Sequence, residues 1–196
     1  MLQRAFFISF LVLLLATQCF ADDVVRPATP QALPYSVLTS EKEEIGGLWF
    51  HSYSITLGLP LEAYSTVSPE KIMDTAVSAV WDIYQSTKGN SISATVYVNK
   101  EYIRIGQSIG HAHLGAGSEH IANGWSKEVS PIPPLREMQI NTLWYELKPQ
   151  YMVQGCYGME LDKKPLLQAI SKRLDIPVEV IEAPESDYSQ CVDHES

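Results

Sequence analysis

The chain has 196 residues, with 14 lysines and arginines against 23 aspartates and glutamates, for a net charge of −9. Such a surface repels phosphate backbones and anionic lipid, which argues against nucleic acid as a partner and allows a cationic one. The length suits one domain with a sizeable core rather than two.

Arg4 precedes an apolar run from Ala5 to Ala16, and the segment closes on Ala21 before Asp22 and Asp23, the layout of a secretory signal peptide over residues 1–21. The run falls short of the roughly 20 apolar residues that span a bilayer, so no integral membrane span is expected. This reading places the protein in the periplasm or outside the cell, with a lipid anchor on Cys19 as the alternative. Residues 22–46, with Pro27, Pro30, Pro34 and the charged run Glu41 to Glu44, read as an extended leader or tether.

Leu48 to Leu57 is rich in aromatic and β-branched residues and predicts a strand. Ser68, Pro69 and Glu70 then mark a helix start, and Ile72, Met73, Ala76, Val77, Val80, Ile83 and Tyr84 recur at three- and four-residue spacings up to Lys88-Gly89. Ile92, Ala94, Val96 and Val98 alternate with polar residues, as in a half-buried strand. The next segment fits two arrangements. A hairpin partner could start at Tyr102, or an irregular connection could lead to a strand from about Gln107 to Leu114. The second is preferred, and it turns Gly110, Ala112 and Leu114 toward the helix and Ile109, His111 and His113 the other way.

Gly115 to Gly124 and Ser130 to Pro134 read as loops. Asn141 to Leu147 supplies strand material, Gln150 to Tyr157 a strand, Lys164 to Leu174 a helix, and Pro177 to Ile181 a final strand. The predicted class is α+β: a mostly antiparallel sheet with two helices packed on one face, ordered β-α-β-β then β-α-β. It forms a single domain over residues 47–183, followed by a polar tail, 184–196.

Three of the five histidines, His111, His113 and His120, fall in one short stretch. Two histidines two apart on a strand share a face, so a following loop could return His120 or Glu119 to complete a zinc-like site for a small metal-assisted hydrolase. The spacing matches no metal signature, so the cluster reads first as exposed strand and loop residues, with no cofactor expected. His51 and His194 have no discernible partners in the sequence. Cys156 and Cys191 are the cysteines beyond the leader, and an oxidising compartment would pair them, closing a loop worth about 3–4 kcal/mol. That pairing outweighs Cys156 as a nucleophile, which lacks a local motif supplying a base.

Trp49, Phe50, Tyr53, Trp125, Trp144, Tyr145, Tyr151 and Tyr157 could form an aromatic binding surface on the open face of a one-sided sheet, although packing is the default for such residues. The leading functional expectation is an exported, non-enzymatic binding module for another protein or an envelope component. A lipid-anchored structural protein is the remaining alternative. The ligand and oligomeric state have no signature in the sequence.

Overall fold

The computed structural model describes residues 24–87, 89–116, 124–155 and 158–184. The predicted leader over 1–21 and residues Cys156, Cys191, His120 and His194 lie outside them.

Five strands form one sheet in sequence order: β1 (Ser36–Ile45), β2 (Leu48–Thr56), β3 (Ser91–Tyr97), β4 (Gly110–Gly115) and β5 (Gly124–Val129). Only β2 and β3 run parallel, because the chain crosses between them through a long helix; every other neighbouring pair is antiparallel. The short helix α1 (Leu61–Tyr64) and the long helix α2 (Pro69–Thr87) make this crossover. The α2 helix starts as its sequence dictates: Ser68 caps the first turn, with its Oγ 3.4 Å from the Lys71 amide. Ile72, Ala76, Val77, Val80 and Ile83 of α2 are buried against the sheet.

The residues facing α2 are set by strand register. Ile55 of β2 lies beside Val96 of β3, and Val96 beside Gly110 of β4; Ala94 lies beside Ala112, and Ile92 beside Leu114. All of these are buried. Gly110 allows the close approach, since a Cβ there would stand 2.5 Å from Cγ2 of Ile72. The preferred version of β4 therefore holds, except that Ile109, expected on the far face, is buried in the main core.

Over its described part, residues 24–46, the tether expected at 22–46 is not free. The described part up to Tyr35 straps across the outer surface of α2, where Asp74 accepts a hydrogen bond from the Gln31 amide, Thr75 from the Leu33 amide and Asp82 from the Tyr35 hydroxyl. Ser36–Ile45 then becomes the edge strand β1, paired to β2 along its length with one irregularity between Val37 and Thr39. Its charges led away from a strand assignment, yet charged residues are what an exposed edge carries to discourage pairing with other chains.

A second core gathers around α4 (Leu135–Leu147) and α5 (Lys163–Leu174). Asn141–Leu147 is helical rather than strand. The α4 helix is buried on more than one side, Met138 in the main core and Ile140, Trp144 and Leu147 in the second, so it presents no single apolar stripe. Of the expected second β-α-β unit, the strand over residues 150–157 contains β6 (Met152–Gly155), which forms a hairpin with a further strand, β7 (Gly158–Leu161), and the helix over residues 164–174 is α5. Val178–Val180 forms a 3-10 turn in place of the last strand. The irregular connection before β4 is α3 (Lys100–Ile105), whose cap Asn99 accepts from the Glu101 and Tyr102 amides and donates to Thr142 of α4. The architecture is a mixed α+β fold, an antiparallel-dominant sheet with several helices packed against it.

Candidate functional site: the open face of the sheet

With α2 and its strap on one side, the opposite face of the five strands carries half-buried and exposed side chains. Register gives its composition. Across the middle of the sheet lie Glu41 of β1, Ser52 of β2, Ser93 of β3, His113 of β4 and Ser126 of β5. The adjacent row is Thr39, Ser54, Thr95, His111 and Glu128, and Glu43 stands beside Phe50 and Ser91 in the row on the other side. The face is thus built mainly of hydroxyls and imidazoles, with Phe50 and Tyr97 among them and carboxylates on the two edge strands. The five strands place no lysine or arginine on it, since Lys42 and Lys127 alternate to the α2 side.

The central groups bond across strands. Ser91 Oγ and His113 Nε2 share a hydrogen bond of 2.8 Å, and Thr95 Oγ1 and His111 Nδ1 one of 3.0 Å. Ser93 donates to Ser52 at 3.2 Å, so the serine row continues into β2. Partial burial, followed by the neighbouring His111, holds the His113 pKa below the usual imidazole value, which keeps that ring neutral near pH 7. At the α1 end the face closes over a buried knot, in which Thr56 and Tyr64 both donate to the Val98 carbonyl at 2.9 and 2.8 Å.

The structure brings two of the three sequence-predicted histidines together and leaves the third, His120, outside the described residues. His111 and His113 share a face as expected, each with one nitrogen engaged by a β3 hydroxyl. Among the described residues no group of three or more His, Cys, Asp or Glu side chains is arranged to hold a metal. His51 lies on the α2 side, 4% exposed, against Gly89. Burial and then the Lys42 charge lower its pKa.

The expected aromatic surface is not what covers the open face. Trp144 and Tyr145 are buried in the second core, and Tyr151 packs on that core. Trp49, Tyr53 and Trp125 alternate to the α2 side, with Lys42 Nζ 4.2 Å from the Trp49 ring centre. Phe50 alone of that set is on the open face, and Tyr157 lies outside the described residues. The residues that sequence reading passed over are the hydroxyls of β3 and the β1 carboxylates. The alternation of Ser91, Ser93 and Thr95 with Ile92, Ala94 and Val96 already carried the first signal.

This arrangement defines a small α+β domain with one helix-covered and one exposed sheet face. Residues 30–186 match the family model described as a domain of unknown function (DUF4875), and the chain belongs to that family. The fold is similar to the crystal structure of a DUF487 family protein from Desulfovibrio piger ATCC 29098, at 19% identity and a TM-score of 0.54, over 77% of this chain and 90% of that one. No curated protein matches the chain.

Two expectations are corrected by these findings. Among the described residues, which do not include 1–21, Cys156 or Cys191, neither a secretion signal nor a disulfide is found, and the family match takes in neither residues 1–21 nor Cys191. No helix among the described residues is long and apolar enough to cross a membrane.

Proposed function

We propose that the protein is a non-enzymatic binding module that docks a basic polypeptide surface on the open face of its five-stranded sheet. The observation that carries this reading is the one-signed charge of that face. Glu41, Glu43 and Glu128 flank a neutral hydroxyl and imidazole centre with no lysine or arginine among them. Complementary charge steers and orients a cationic partner, and the hydroxyl rows supply hydrogen bonds once it has docked.

Ser91 and His113 have the contact distance of a nucleophile and its base, but a binding surface accounts for them better. The Thr95–His111 pair repeats the pattern on the same two strands, as cross-strand pairing does without any chemistry. Among the described residues no carboxylate hydrogen-bonds the other nitrogen of His113 to orient it, as a catalytic arrangement requires.

Titration of the isotope-labelled full chain with a lysine- and arginine-rich peptide tests the reading. Saturable amide shifts concentrated on Ser52, Ser93, Thr95, His111 and Ser126, weakening with added salt, are expected. Shifts scattered over all acidic residues, or none, would refute it.

A further inference from the structure

The sheet ends on β1, a strand of 10 residues whose outer edge pairs with no other described strand. Alternate residues along such an edge turn their amide and carbonyl groups outward, where water or an added strand bonds them. All residues of β1 except the half-buried Leu38 are exposed, so the edge is open to solvent. At the other end of the sheet, β5 has 6 residues and carries one charge of each sign, Lys127 and Glu128.

The charge of β1 selects what can pair there. Glu41 and Glu43 project to the open face and Glu44 to the α2 side, and no ion pair joins any of them to another described residue. Lys42, the one base of the strand, leans inward, with its Nζ 4.2 Å from the centre of the Trp49 ring on β2. An incoming strand therefore meets mainly carboxylates. A second copy of β1 pairing antiparallel through this run would set Glu41 beside Glu41, Glu41 beside Glu43 or Glu43 beside Glu43, according to whether the pairing centres on Glu41, Lys42 or Glu43. Like charges directly opposite each other are unfavourable. The strand thus refuses its own copy and accepts one of opposite sign.

We propose that β1 takes up, as a sixth strand of the sheet, an extended segment of a basic partner with lysine or arginine at alternate positions. The inference rests on the docking of a basic polypeptide proposed above and adds where its backbone is held. Bases two apart on a strand fall on one face, as Glu41 and Glu43 do, so opposite charges meet across the new pair. Main-chain hydrogen bonds give an added strand its affinity, and alternate side chains give it selectivity. The irregularity between Val37 and Thr39 confines regular pairing to residues 39–45, the part of the strand that holds all its charges.

A peptide of about eight residues alternating lysine and threonine, with neutral ends, tests this against the isotope-labelled full chain, alongside two versions N-methylated at every lysine or at every threonine. All three carry the same charge. An added strand offers one edge to β1, so one N-methylated version should bind about tenfold or more weakly while the other stays close to the parent. The amides of residues 39–45 that exchange fastest in the free chain should slow by about tenfold or more with the parent peptide bound. Equal affinity of the two N-methylated versions would overturn strand addition, and parent-induced shifts at Ser93, Thr95 and His111 would then leave docking on the open face standing. Unchanged exchange in β1 would likewise overturn strand addition alone. Absence of any saturable shift with the parent would overturn both.

Discussion

Gly110 sits where β4 passes beneath α2, and the Cγ2 of Ile72 occupies the space a side chain would need. Its backbone is ordinary for a strand, so the consequence of Gly110→Ala is steric rather than torsional. The helix must move off the sheet or Ile72 must leave its rotamer, at a cost of about 1–3 kcal/mol. Urea denaturation of the variant measures this, and an unchanged midpoint would show that α2 is not seated as tightly as the geometry requires. His113 and His51 make a second residue-scale prediction. Burial leads the depression of both pKa values in the folded chain. Unfolding restores the ordinary value of 6.5, so the unfolded chain takes up protons that the folded chain refuses. Their contribution is present above pH 6.5 and is lost as the pH falls from there through the lower folded values. Urea midpoints should drop across that window. Replacing His113 by Gln should flatten the dependence, with His51 accounting for the part that remains.

At the scale of elements, the strap over α2 and the cap of α3 carry much of the positioning. Thr75 is fully buried, accepts from the Leu33 amide at 2.9 Å and donates to the Lys71 carbonyl at 2.6 Å. Thr75→Val keeps the shape and strands the Leu33 amide, so a loss of about 1–3 kcal/mol is expected. Faster amide exchange around Leu33 should accompany it. Asn99→Ala removes the one side-chain oxygen that accepts from two amides at the start of α3, and the link to Thr142, at about 1–2 kcal/mol. The elements legible in the sequence include β2 by its aromatic and β-branched residues, α2 and α5 by their apolar stripes and β3 by its alternation, while β4 fitted two arrangements of which the preferred one is close to the observed strand. Those that escaped have physical reasons. The α4 helix packs on two cores and so lacks a stripe, and β1 is charged because it is an edge. Val178–Val180 is a few residues with no partner strand. Of the candidate site, the shared face of His111 and His113 was readable from their spacing. The carboxylates that give the face its sign come from β1 and β5, and only the sheet order brings them to the same surface.

The whole molecule is asymmetric in cover. One sheet face is sealed by α2, which is itself strapped from Val24 to Tyr35, while the other is left to hydroxyls, imidazoles and three carboxylates. The family match and the similar crystal structure extend the fold to other proteins; the function of the open face is an inference from its chemistry. Net charge alone would attract cations to any part of this surface. The decisive comparison is therefore between carboxylates on the face and carboxylates off it. Affinity for a lysine- and arginine-rich peptide should be measured for a Glu41→Gln, Glu43→Gln, Glu128→Gln variant and for a variant with Glu62, Glu137 and Glu179 changed to Gln, which has the same net charge. The account predicts that the first loses about tenfold or more in affinity and the second stays close to the unaltered chain. Equal losses in the two variants would show that the open face is not the docking surface.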